Sequence, residues 1–171
     1  MHILLGLIGV ISAAAFWIWR ARYTADALRE AADLVGDAQS AARRFGFRRK
    51  SGVHPADAVD DPRLAAAGVC AAIATIDGPM TEGEIATLTS EAERLFAAPT
   101  SEAAEITAFG RWVADQCGTP EEAVRRLARP LRARTTEAER GDLIALASSV
   151  AADDERSRHA IVQLRRALEI A

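Results

Sequence analysis

A chain of 171 residues with formal net charge −3, half of it apolar and only 5% aromatic, suits one small domain with an appendage. The acidic balance of the body argues against nucleic acid as a partner. Two cysteines, Cys70 and Cys117, without CxxC or Cys/His spacing, argue against a disulfide framework and a structural zinc site.

Residues 3–19, ILLGLIGVISAAAFWIW, carry no charge. Counted from Met1, a helix through Trp19 spans about 28 Å, close to the hydrocarbon core of a bilayer. Trp17, Trp19 and Tyr23 stand at its end, where amphipathic rings prefer the headgroup level, and Arg20 and Arg22 follow at once. A cleaved signal peptide needs a basic start and a small-x-small site after the apolar run. Here only Met1-His2 precede the run, and the small residues Ser12 to Ala15 come before its aromatic end. The flanks predict an uncleaved single-pass anchor at 1–22, with a very short N-terminus outside and the body in the cytoplasm.

Residues 20–50 hold eight basic residues against four acidic, net +4, while the rest holds thirteen basic against twenty acidic, net −7. The segment begins as a predicted helix, with Ala27, Leu28, Ala31, Leu34 and Val35 apolar at helical spacing. It ends in RRFGFRRK, five basic residues interleaved with Phe45 and Phe47. Two readings stay open. One is a patch on anionic membrane lipid, worth about 1 kcal/mol per basic residue near the surface. The other is a solvated linker whose charge only enforces topology. SGVHPADAVDDP, residues 51–62, is rich in Gly, Pro and Asp and reads as linker. Segment 23–61 is therefore a basic juxtamembrane helix and linker, and 62–171 the body.

The body reads as five or six helices. The first runs from about Arg63 to Ile76, with Val69, Ile73 and Ile76 on one face. The second begins at Thr81, where Thr81-x-x-Glu84 forms a capping box, and aligns Ile85, Leu88, Ala92, Leu95 and Phe96. Pro99-Thr100-Ser101 breaks that helix and caps a third, with Ile106, Phe109, Val113 and Cys117 inward. Thr119 caps a fourth, with Pro120 at its first position and Glu121-Glu122 on the positive dipole end. Pro130 kinks or ends it. Thr135 or Thr136 starts a fifth, with Leu143, Leu146, Ala147 and Val150 inward, and the last uses Ile161, Leu164 and Leu168. No stretch alternates like a strand, so the fold class is all-α. Moving 76 residues along maps Asp77 onto Asp153, Ile85 onto Ile161 and Leu88 onto Leu164. Two helix–acidic turn–helix hairpins, paired, would bury both apolar faces in one bundle.

An apolar helix ending in AIATIDG, a short acidic turn and then EIATL resemble the TerB-like fold, over about residues 62–171. That family covers tellurite-resistance protein B and the region after the membrane anchor of the DnaJ-like co-chaperone DjlA. The resemblance implies a bundle of about seven helices with two acidic units. It also implies a bacterial inner-membrane setting with the C-terminal domain cytoplasmic. The first unit keeps Asp77, Gly78 and Glu84; the second keeps Asp153 but has Asp154 where Gly is expected and Ala160 where Glu is expected. His54-Pro55 is followed by Ala56, so the J-domain tripeptide is missing.

The resemblance further implies divalent-cation binding at the acidic turns. The candidate metal ligands are Asp77, Glu82, Glu84 and Asp153, for Ca²⁺, Mg²⁺ or Zn²⁺, with Asp154 and Glu155 nearby. An EF-hand does not fit, because the twelfth position from Asp77 is Leu88. The plainer reading is a turn: Asp77-Gly78 stops a helix and Glu84 serves Thr81 in the capping box. Three scattered histidines, His2, His54 and His159, and no nucleophile turn or phosphate loop point away from an enzyme. A metal-dependent hydrolase would need His159 and both acidic turns in one pocket. The expected role is a non-enzymatic membrane-anchored module for protein interaction or cation-linked envelope stress response. The alternative is a scaffold whose metal site has decayed. Its partners would be membrane lipid, through the anchor and basic segment, and a protein.

Overall fold

The computed structural model describes residues 34–49 and 51–169, and all of these but Leu34 belong to one compact unit, Val35–Ala171. The expected anchor and the juxtamembrane residues up to 33 lie outside the described residues. Among the described residues no helix is long and apolar enough to cross a membrane. They are all-helical, with no strand. A short 3₁₀ helix, Pro55–Ala58, precedes α1 (Pro62–Ala74), α2 (Glu82–Phe96), α3 (Thr100–Cys117), α4 (Pro120–Arg134), α5 (Glu137–Val150) and α6 (Glu155–Ala167).

Local chemistry sets most of these boundaries. Asp61 caps α1 by accepting from the Arg63 N–H at 2.8 Å, with Pro62 at the first position. Thr81 and Glu84 form the expected capping box of α2, and left-handed Ala97 (φ 49°) ends that helix. Thr119 caps α4, and of the two threonines at the start of α5 it is Thr136 that caps, in a box with Glu139. The third helix begins after Pro99 without a side-chain cap, where Thr100 or Ser101 was expected to supply one. Pro130 does not end α4, which continues to Arg134. Burial of Leu127, Ala128 and Leu131 on that face offsets the missing N–H bond.

α1 forms the centre. Every residue from Leu64 to Ala74 is buried, so the helix is apolar all round and not along one stripe. It packs chiefly on α3 and α4, with α5, α2 and α6 completing its surroundings. The two acidic-turn hairpins thus do not simply pair face to face; α3 and α4 share the central helix with them. The internal echo holds in burial: Leu88 and Leu164 are both fully buried, Ile85 and Ile161 half-buried, and Asp77 and Asp153 exposed.

Residues 35–61, read as part of the basic juxtamembrane helix and linker, pack on the bundle. After the helical stretch 35–44, the chain turns at Gly46 (φ 69°) and crosses the bundle as a strap. Ala38, Ala41, Ala56, Ala58 and Val59 are buried, and Phe45 and Phe47 pack on the core. Phe47 meets Phe109 and Trp112 edge-on, at ring-centroid distances of 5.1 and 5.8 Å. The Arg63 guanidinium lies 4.4 Å from the Phe45 ring centre, and Arg44 Nε donates to Glu105 Oε2 at 2.8 Å. His54 accepts from the Ala56 N–H at 3.2 Å, and its other ring nitrogen is 3.0 Å from the Gln116 carbonyl. Asp57 pairs with Arg126 of α4. The strap is apolar enough at these points to join the core, which its charge concealed.

Candidate functional site

The first acidic turn links α1 to α2. Thr75 closes α1, its hydroxyl donating to the Ala72 carbonyl at 3.0 Å, and the chain then exposes Asp77. Glu82 is exposed on the first turn of α2. Glu84 is engaged: its Oε2 accepts from the Thr81 N–H at 2.6 Å and from the Thr81 hydroxyl at 2.8 Å.

The second turn links α5 to α6. Asp153 is almost wholly exposed and pairs with Arg158 at 2.7 Å. Asp154 caps α6, accepting from the Arg156 N–H (2.7 Å), the Ser157 N–H (3.0 Å) and the Ser157 hydroxyl (2.8 Å). Bonding from Ser157 above all holds its carboxyl below the usual carboxylate range. Ala160, where the resemblance expects Glu, is buried in the core.

Of the four expected ligands, then, Asp77 and Glu82 are exposed, Glu84 serves a cap and Asp153 an ion pair. Among the described residues no three His, Cys, Asp or Glu side chains gather so as to hold one ion. The residues as placed do not make a preformed divalent-cation cage, which needs six or more converging oxygens for Ca²⁺.

What the fold does assemble is an open groove of about 410 Å³ between the end of α1 and the starts of α4 and α6. Ile76, Pro120, Glu121, Glu155, Arg156 and His159 line it. His159 is exposed, with Nε2 at 2.8 Å from the Gln163 side-chain nitrogen. Glu121 was legible only as a helix-start residue, since its meeting with Glu155 depends on how α4 and α6 pack. Burial pushes the Cys117 thiol up to about 11 and raises that of buried Cys70 further, which favours the protonated thiol at both near neutral pH.

A family model described as tellurite resistance protein TerB matches residues 63–170, nearly the whole of α1 to α6. The chain belongs to the TerB family. No curated protein and no solved structure matches it. The TerB match covers both acidic turns and the groove and begins after the strap of residues 35–61.

Proposed function

We propose that this TerB protein is a non-enzymatic module, held by residues 1–22 at the cytoplasmic face of a bacterial inner membrane, that acts by binding another protein. The observation that carries this reading is the employment of the acidic side chains. Glu84 and Asp154 cap helices and Asp153 pairs with Arg158, so the turns are built first to end helices. Membrane attachment rests on the uncharged run 3–19 and its aromatic and basic flank.

A second reading, a cation-linked stress response, is favoured by Asp77 and Glu82, two exposed carboxylates on one turn. Calorimetric titration of the full chain with Ca²⁺, Mg²⁺ and Zn²⁺, beside Asp77→Ala, separates the two. The protein-binding reading expects no saturable heat from any ion. Saturable binding that Asp77→Ala abolishes would replace it with the cation-linked one. Retention of the chain in membranes after alkaline carbonate washing tests the anchor, and release into the wash would remove it.

A further inference from the structure

The fold divides the basic stretch into two sets. Arg44 is taken by Glu105, with Glu102 at 3.8 Å, and Phe45 and Phe47 are turned onto the core. Arg43, Arg48 and Arg49 are left exposed, without an ion pair to any described residue. Arg43 and Arg49 line an open groove of about 460 Å³ together with Val35, Ala38, Phe47 and Trp112. Among the described residues no acidic side chain lines it. Val35 stands 44% exposed at this groove, one of few large apolar side chains on the described surface left so open.

Two guanidinium groups beside an apolar and aromatic lining suit a ligand with an anionic head and an apolar tail. An acidic peptide shares the first property, but chain connectivity favours lipid. Fifteen residues lie between Trp19 and Val35, and sixteen fully extended steps reach at most about 58 Å, so the chain ties Val35 to the end of the apolar run. Tethering of this kind keeps headgroups at an effective concentration that a free peptide does not reach.

The geometry points to this groove as a seat for an anionic phospholipid of the leaflet that carries the anchor. Arg43 and Arg49 take the headgroup phosphate, and Phe47 and Trp112 take the upper acyl chain. The inference deepens the membrane-bound reading above and rests on it in taking lipid, in place of an acidic peptide, as the occupant. Because Phe47 is locked against Phe109, lipid held in the groove holds the whole bundle against the bilayer in one orientation.

The test uses the full chain mixed with phosphatidylcholine vesicles, with or without phosphatidylglycerol, read by flotation and by amide exchange of peptides covering 35–49. The expected result is flotation with both vesicles, with slowed exchange in 35–49 only on the anionic ones. Arg43→Gln with Arg49→Gln, both exposed and outside the core, is expected to weaken that engagement about 30-fold, at ~1 kcal/mol for each charge. Circular dichroism confirms that the variant is folded.

Flotation with both vesicles but equal exchange on each would overturn the lipid seat and leave the anchor standing. Flotation only with anionic vesicles, lost in the double variant, would keep the seat and remove the anchor. Protection on neutral vesicles that rises with protein density would assign the groove to a second copy of the chain and overturn the proposal.

Discussion

Gly110 of α3 lies against the backbone of Ala67 of α1: a Cβ placed on Gly110 would stand 2.6 Å from the Ala67 carbonyl carbon and 2.7 Å from its oxygen. Backbone cannot turn aside as a side chain can, so the crossing of α1 and α3 requires glycine. Gly110→Ala is expected to destabilise the protein by about 1–3 kcal/mol, the range for overpacking a tight core. Gly68→Ala should cost less, because the close neighbours of its Cβ would be side chains, Leu127 and Val113 each at 2.7 Å, with the Gly110 carbonyl oxygen at an ordinary 3.9 Å. Urea unfolding of the two variants checks the order. Equal midpoints would mean that α1 and α3 separate without resistance.

The strap should contribute to the stability of the bundle it crosses. Phe47→Ala removes two edge contacts, to Phe109 and Trp112, from a half-buried ring. A loss of about 2 kcal/mol is expected, below the roughly 3–5 kcal/mol of a fully buried Phe. A fragment of residues 62–171 should likewise unfold at lower urea than one of residues 35–171. If the two fragments share a midpoint, the strap only lies on the surface.

That strap shows where the sequence ceases to be readable. The capping box of Thr81 with Glu84 was legible because the two interact within one helical turn, whereas that of Thr136 with Glu139 was seen only as a choice between two threonines. The paired burial of Leu88 and Leu164 was legible too, since helical period alone places them inward. RRFGFRRK was open to two readings, a patch on lipid or a solvated linker, because its charges outnumber its rings. The packing of Phe47 depends on Phe109 and Trp112, more than sixty residues away in the chain. Likewise Val69, Ile73 and Ile76 suggested a stripe on α1, yet Ile76 is only half-buried while the alanines around the helix are fully enclosed. Alanine scarcely marks a face in a hydrophobic pattern, so the centrality of α1 was hidden. The groove between Glu121, Glu155 and His159 is set by packing of α4 on α6, and no spacing encodes it.

Thr81 offers a way to tell a structural Glu84 from a ligand. Thr81→Ala removes the cap oxygen that receives the Glu84 N–H at 3.3 Å, and the expected loss is about 1 kcal/mol. Thr81→Ser should retain most of that stability. The alanine variant also frees the Glu84 carboxylate from the Thr81 hydroxyl. If the first turn is only a turn, divalent-ion titration of the variant stays silent and thermal unfolding alone changes. Tighter binding of Ca²⁺ or Mg²⁺ by the variant than by the parent would instead make Glu84 a ligand that the cap restrains.

Acid should weaken the protein through its helix caps. The backbone N–H and hydroxyl of Thr136 hold Glu139 below the usual carboxylate range, at 2.7 and 2.8 Å, and Ser157 does the same to Asp154. Both groups have a lower pKa folded than unfolded, so the unfolded chain takes up protons first as the pH falls. Their stabilisation is therefore complete above the ordinary carboxylate pKa and is lost as pH drops through the depressed folded values. Unfolding midpoints should stay level from neutral down to about pH 5 and fall below it. Asp154→Asn combined with Glu139→Gln keeps oxygen acceptors at both caps but removes their titration. This variant should begin less stable at neutral pH and lose less on acidification. A profile parallel to that of the parent would place the acid sensitivity elsewhere, with the Glu122 carboxylate, lowered by Arg125 and Arg126, as the next group to neutralise.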